Sequence, residues 1–311
     1  MEGSRRRESR LRERLGCVSR GILGLTLAAG IAGAAPLRVA TYNVENYGPA
    51  DRLTEAGFRQ DYPKPESEKQ ALRTVIRGLD ADVLVLQEMG PRPYLEELQR
   101  DLRKEGTNYA HAVLARALDA DRHLALLSRL PLQGVVTHTD LEFAYLGGKE
   151  TVKRGLLEAT VGTPEGAVTV FAVHLKSRYT DRADDPLSAV RRAAEATAVR
   201  DRVLRRFPRP AEARFLILGD CNDYRGSRPV AALQKRGRTE ICLLLPAADS
   251  RGEVWTHFFR REETYSRVDL IFVSPGLQDS VQGGVARIFD GAGVRGASDH
   301  RPVFVVLDPK R

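Results

Sequence analysis

Residues 214–223 read RFLILGDCND, and no other stretch limits the fold as strongly. Phe215, Leu216, Ile217 and Leu218 form an unbroken apolar run between charged residues. Successive side chains of a strand point to opposite sides, so such a run reads as a strand buried on both faces. Only a fold with layers above and below the sheet can cover it. Gly219 then permits a sharp exit or a close backbone approach. Asp220, Asn222 and Asp223 follow at the C-terminal end, where α/β folds tend to keep their chemistry.

The pattern recurs along the chain. Residues 37–43 alternate as a strand and run into Val44-Glu45-Asn46. Residues 82–88, DVLVLQE, form a second buried strand ending at Glu88. A hairpin over 155–161 and 167–173, turning at 163–166, continues into His174, Lys176 and Arg178. Asp269 lies inside RVDLIFV at 267–273, and Asp299-His300 lead into a last strand at 303–307. Further strands are expected at 109–114, 123–128, 254–259 and 281–288. Ser67-Glu-Lys-Gln70 reads as a capping box opening a helix, with Leu72, Val75, Ile76 and Leu79 at helical spacing. Other helices are expected at 92–104, 187–207 and 227–235, and an irregular segment over 49–65, where Gly57, Pro63 and Pro65 break regular structure. Strands outnumber helices and the order is not strictly alternating, which suggests packed mixed sheets with outer helices in one domain over 35–311.

Residues 1–34 stand apart. A polar, Arg-rich segment precedes an uncharged small-residue stretch ending Ala32-Gly33-Ala34, the pattern of a secretory signal. The apolar run is shorter than a spanning helix needs. An export signal and an uncleaved anchor are the two readings. The chain carries 49 Lys and Arg against 41 Asp and Glu, an excess of +8, and seven Arg and three Glu in the leader account for half of it. The remainder is mildly basic, compatible with a phosphate-rich substrate without indicating one. Two cysteines remain beyond the leader, Cys221 and Cys242. In an exported protein they can bridge, or Cys221 can fill the core as a small hydrophobe. Two are too few for a cysteine-based zinc site.

A single Asp or His at a strand end is usually a cap or a surface residue. Here Asn43 and Glu45, Glu88, His174, Asp220 and Asn222, Asp269, and Asp299 and His300 all interrupt apolar runs. Capping does not account for so many. Asp269 is the sharpest case, because a carboxylate among Val, Leu, Ile and Phe is costly without a partner, and a His is the natural one. Carboxylate oxygens suit Mg2+ or Mn2+. A His held by an Asp can serve as acid, base or phosphate donor. The set fits metal-assisted phosphodiester hydrolysis.

These pieces resemble the endonuclease/exonuclease/phosphatase superfamily, which includes deoxyribonuclease I-like nucleases. The matching motifs are TYNVEN at 41–46, VLVLQE at 83–88, ALLSRLPL at 125–132, AVHLKS at 172–177, LGDCND at 218–223, RVDLIFV at 267–273 and SDHRPV at 298–303. The resemblance implies an α/β fold, a four-layer sandwich with two mixed sheets face to face and helices outside. It implies Glu88 as principal metal ligand, with Asn43, Glu45 and Asp299 completing the metal and phosphate environment. It implies Asp220 for the attacking water with Asn222 beside it, His300 on the phosphate with Asp269 behind it, and His174 as a second His. Cys221 stands where the family usually has Phe, and no carboxylate partner for His174 is evident in the sequence. Arg154, Lys176 and Arg178 are candidate substrate contacts, Arg154 being equally well read as a solvated side chain. Arg192 and Glu195 read as a surface pair, and His257 as structural or exposed.

The expected function is an exported Mg2+-dependent (or Mn2+-dependent) phosphodiesterase, a nuclease first. A phospholipid or sphingomyelin phosphodiesterase is the alternative, disfavoured because no aromatic-rich amphipathic hairpin is evident. A catalytically silent binding module should have lost some of Glu88, Asp220, Asn222 or His300, and all are present. Nucleic acid is the expected partner. No obligate protein partner is indicated, nor any membrane contact beyond the leader.

Overall fold

The computed structural model describes residues 35–308 apart from residues 55 and 181, so the leader assigned to residues 1–34 lies outside the described residues. Two mixed sheets form the core. One has seven strands and the other six. In the first, the N-terminal strand Leu37–Tyr47 lies between the last strand, Val303–Leu307, which is antiparallel to it, and Val83–Met89, which is parallel. In the second, Phe215–Asp220 lies between Val168–His174, parallel, and Asp269–Val273, antiparallel.

Alternation of side chains along the strands sorts the core into three apolar layers. Val39, Val83 and Val85 of the first sheet pack with Leu216, Leu218, Val170 and Ile271 of the second. The intervening residues face outward. Ala40, Leu84 and Leu86 meet Leu72, Ile76, Leu95 and Leu98 of the helices Glu66–Leu79 and Arg92–Lys104. Phe215, Ile217 and Phe272 meet Val199, Val203, Val230 and Leu233 of the helices Ala189–Arg206 and Arg228–Gln234. The apolar run at 215–218 thus serves two layers at once, as its composition requires. The architecture is the expected four-layer α/β sandwich with two mixed sheets and outer helices.

Several local expectations are corrected. The segment at 49–65 contains a hairpin, Ala50–Thr54 with Gly57–Tyr62, its turn served by Gly57 at φ 94°. The helix expected to begin at a Ser67 cap begins at Glu66 after Pro65 and has no side-chain cap hydrogen bond. The strand expected over 281–288 is regular only at Ala286–Ile288, because Gly283 and Gly284 adopt positive φ and form a turn. Cys221 and Cys242 are buried free thiols in the layer behind the second sheet, not a disulfide.

Candidate functional site

The interior of the sandwich turns polar at one end. Thr41 and Gln87, on adjacent central strands of the first sheet and one row apart, are fully buried, and Gln87 Nε2 donates to Thr41 Oγ1 at 2.9 Å. One step further along the same interior row comes Asn43. In the facing sheet the rows through Val170 and Ala172, Leu216 and Leu218, and Val273 and Ile271 end at His174, Asp220 and Asp269. These three residues lie side by side, since His174 pairs with Asp220 and Asp220 with Asp269 in register. Side chains opposite one another on adjacent strands share a face. The polar cluster is therefore a direct result of register, with each residue replacing the next apolar residue of its row.

Asp220 is the centre of this cluster. Its Oδ2 accepts from Asn43 Nδ2 of the facing sheet at 3.1 Å, and its Oδ1 accepts from the amide of Asn222 at 2.8 Å. His174 Nε2 stands 3.5 Å from Asp220 Oδ2 and 3.9 Å from Glu88 Oε1. Burial pushes the Asp220 carboxyl up to about 6, with Asp269 adding to the rise and His300 opposing it. Burial also holds His174 well below its ordinary value, in the neutral form, and nearby Arg154 adds to this. No side chain among the described residues hydrogen-bonds His174 Nδ1. The sequence offered no carboxylate for it, and the structure supplies none there.

Asp269 is fully buried, and its Oδ2 meets His300 Nδ1 at 2.8 Å. This is the partner that a mid-strand carboxylate required. Burial disfavours a charged His300, but Asp269, followed by Asp299 and Asp220, raises it well above the usual imidazole value. The segment 298–300 is tied across to the first strand. Ser298 Oγ donates to the Asn43 carbonyl at 2.8 Å, and the Asp299 amide donates to Glu45 Oε2 at 3.0 Å.

The acidic side of the cluster rests on strained backbone. Glu45, Asn46, Glu88 and Asn222 all have positive φ, between 49° and 60°. Register shifts interrupt the strand pairing between Asn43 and Tyr47 and between Leu86 and Met89. Bulges of this kind re-aim side chains next to active sites, and left-handed non-glycine residues persist only where their surroundings impose them. The Asn46 amide donates to Glu88 Oε2 at 3.1 Å. Burial, then the like charge of Asp299, raises the Glu45 carboxyl, and Lys64 and Arg260 offset part of the rise. Asp299 repels Glu45, and Glu88 is held by the amide next to Glu45, so these carboxylates are hard oxygen donors of the kind a divalent ion takes.

The candidate substrate contacts fall in different places. Arg154 is not solvated: its Nη1 donates to the Leu175 carbonyl at 3.0 Å and its Nε is 3.4 Å from Asp119. Lys176 Nζ turns back to Ser177 Oγ and to the carbonyls of Ser177 and Tyr179. Arg178 is exposed and lines a cleft with Leu187, Asp223 and Tyr224.

Three residues read differently in the sequence. Arg192 and Glu195 are buried, not a surface pair. Arg192 Nε meets Asp223 Oδ2 at 2.9 Å and its Nη1 donates to the Lys176 carbonyl at 3.0 Å, so one guanidinium fixes the segments after both His174 and Asp220. Glu195 accepts from the Lys176 amide at 2.7 Å. Asp223 is therefore an ion-pair partner as well as a turn residue. His257, read as structural or exposed, lies against His300 with ring centroids 4.4 Å apart and the rings tilted by 31°, and its Nε2 is 3.5 Å from Asp299 Oδ2. In the sequence His257 is marked by nothing beyond its place ten residues ahead of the motif at 267–273, and its pairing with Ser266 appears in the structure.

A family model described as the endonuclease/exonuclease/phosphatase family matches residues 40–300. A search of curated protein sequences finds no significant match. Among solved structures, the chain resembles an endonuclease/exonuclease/phosphatase from Bacteroides vulgatus, with 14% identity, a TM-score of 0.61, and coverage of 88% of this chain and 99% of the other. It resembles sphingomyelinase C from Streptomyces griseocarneus with 18% identity, a TM-score of 0.59, and coverage of 88% and 100%. It resembles the endonuclease domain of TRAS1, a telomere-specific non-LTR retrotransposon, with 18% identity, a TM-score of 0.53, and coverage of 89% and 100%. At these identities the likeness concerns the fold.

Proposed function

Because the chain belongs to the endonuclease/exonuclease/phosphatase family, we propose that it is an exported, divalent-metal-dependent phosphodiesterase that hydrolyses nucleic acid. The arrangement around Asp220 carries this reading. A buried carboxylate with a raised proton affinity is held through both oxygens by Asn43 and Asn222, between a neutral His174 and the Asp269–His300 pair. In the proposed reaction Asp220 accepts the proton of the attacking water, since a base titrating near the working pH serves proton transfer best. Asn43 and Asn222 keep its oxygens aimed. Cationic His300 meets the phosphate through Nε2, because Nδ1 is committed to Asp269. Glu45, Glu88 and Asp299 would hold the ion, with Mg2+ or Mn2+ as the candidates. When bound, it neutralises charge on the phosphate and the leaving oxygen.

A second reading, a phospholipid or sphingomyelin phosphodiesterase, gains from two exposed hairpins. Leu53 and Phe58 pair across the hairpin at 50–62 and are 85% and 62% exposed. Arg52 ties that hairpin to the carbonyls of Asn46 and Gly48, beside Glu45. The hairpin of His257–Phe259 with Thr264–Ser266 presents Phe259 and Tyr265. The first of these hairpins lies in the 49–65 segment, whose breakers Gly57, Pro63 and Pro65 hide it in the sequence.

The test is a panel of DNA, RNA, sphingomyelin vesicles and bis-p-nitrophenyl phosphate, with Mg2+ or Mn2+ and with chelator. Metal-dependent cleavage of DNA or RNA is expected. Cleavage of sphingomyelin alone replaces the first reading with the second, and no hydrolysis of any substrate refutes both.

A further inference from the structure

We propose that His257, Asp299 and His300 form a second cation site, suited to a borderline transition metal of the zinc class, that shares Asp299 with the acidic pocket of Glu45 and Glu88. One ring nitrogen of each histidine and one Asp299 oxygen lie within 4.8 Å of one another. His257 Nε2 is 3.5 Å from Asp299 Oδ2, and His300 Nε2 is 3.9 Å from Asp299 Oδ1. Donors bound to one tetrahedral Zn2+ at about 2.0–2.1 Å stand roughly 3.4 Å apart. The two separations run to different oxygens of Asp299, and since one oxygen lies within 4.8 Å of both rings, a small rotation of the carboxylate brings a single donor oxygen to bear on the same ion.

The orientation of the rings is the stronger argument. A metal-ligating histidine normally gives its other ring N–H to a carboxylate or another acceptor, which fixes the tautomer and frees one nitrogen for the ion. His300 meets Asp269 through Nδ1 at 2.8 Å, and His257 Nδ1 lies 3.4 Å from Ser266 Oγ. Both rings are thereby left with Nε2 facing Asp299. The backbone holds the two histidines together: His257 and His300 form a bridge, the Phe258 amide donates to the Asp299 carbonyl at 2.9 Å, and the Arg301 amide donates to the Thr256 carbonyl at 2.6 Å. The His257 and Asp299 side chains are 20% and 26% exposed, which leaves a side open for water as a fourth ligand.

Two imidazoles with one carboxylate favour zinc-class ions, whereas the oxygens of Glu45 and Glu88 favour magnesium-class ions, and the two oxygens of Asp299 serve both sets. Binding displaces the proton on His300 Nε2 to solvent and puts the ion in its place. On the reading of the previous subsection, that nitrogen contacts the phosphate. Zinc held here therefore inhibits magnesium-supported turnover.

The test is calorimetric titration of the full chain with Zn2+ in excess Mg2+ and without substrate, alongside Co2+ loading followed by visible absorption. One Zn2+ per chain is expected. His257→Gln and His300→Gln should each weaken it by about tenfold or more, while Glu88→Gln leaves it nearly unchanged. Tetrahedral cobalt bands should appear in the wild type and fade in His257→Gln. Thermal melts establish that each variant folds, and the more exposed His257→Gln decides the matter if His300→Gln does not. Absence of zinc binding in excess Mg2+, unchanged binding in both histidine variants, or its loss in Glu88→Gln overturns the proposal. Failure here leaves phosphodiesterase activity untouched, and an inactive substrate panel leaves the zinc titration untouched.

Discussion

Replacing Asp269 with Asn tests the charge pairing at the centre of the site. The side chain keeps its shape, so the change removes charge rather than volume. His300 Nδ1 loses a charge-assisted hydrogen bond of 2.8 Å and keeps at best a neutral one, a difference of about 1 kcal/mol. Asp269 Oδ1 is buried without a hydrogen-bond partner, so an amide NH2 placed there goes unsatisfied, at about 1–3 kcal/mol. Together the loss is about 2–4 kcal/mol at neutral pH, measured by urea unfolding in chelator. The pH dependence is the sharper part. His300 is raised in the folded state by Asp269, Asp299 and Asp220 against the effect of burial. Its contribution is therefore fully present below the unfolded value of about 6.5 and is lost as pH rises through the folded value. The stability gap between wild type and Asp269→Asn should be widest near about pH 6 and should narrow on the alkaline side. A gap that is constant or grows from about pH 6 to about pH 10 refutes the reasoning.

Other expected outcomes are simpler. Asp220→Asn should lower phosphodiester turnover by about 10²–10⁴-fold with a near-normal circular dichroism spectrum, as expected for removal of a general base; near-normal kcat removes it from that role. Arg192→Met should destabilise the fold by about 3–5 kcal/mol in urea, because it leaves Asp223 charged, buried and unpaired, and a loss under about 1 kcal/mol would show that water reaches the pair. Gly219→Ala should cost roughly 3 kcal/mol or more, since a Cβ there would lie 1.9 Å from the Val173 carbonyl oxygen at φ +147°; soluble expression with an unchanged Tm would contradict that geometry.

What the sequence shows and what it hides follow from the range of the interactions. Alternation and uninterrupted apolar runs report burial directly, so the central strands and the layer order were legible. So were the residues that end those runs, because a carboxylate in an apolar row needs a reason. The hairpin at 50–62 was not, since its second strand is wholly exposed and its first is at most half-buried, so no apolar row marks it. His257 was hidden because its partners, Asp299 and His300, lie about forty residues on. Arg192 looked like a surface residue on an Ala- and Arg-rich helix, because its partner Asp223 is visible only in the fold. The backbone strain at Glu45, Asn46, Glu88 and Asn222 leaves no compositional mark, as none of the four is glycine.

The pairing of the first strand with the last carries a consequence for how the protein is made. Leu37 lies opposite Leu307, and the Ser298 hydroxyl holds the Asn43 carbonyl across 255 residues. Such distant contacts make folding slow, because the chain must close its longest loops before they are rewarded. The strand bearing Asn43 and Glu45 can pair early with Val83–Met89 on one edge, but its other edge is covered only once residues 303–307 are present. Until then Asp220 has its own turn but no ordered Asp299 or His300 beside it. The Asp269–His300 pair and the Asp299 contacts are complete only when residues 298–307 dock on the first strand.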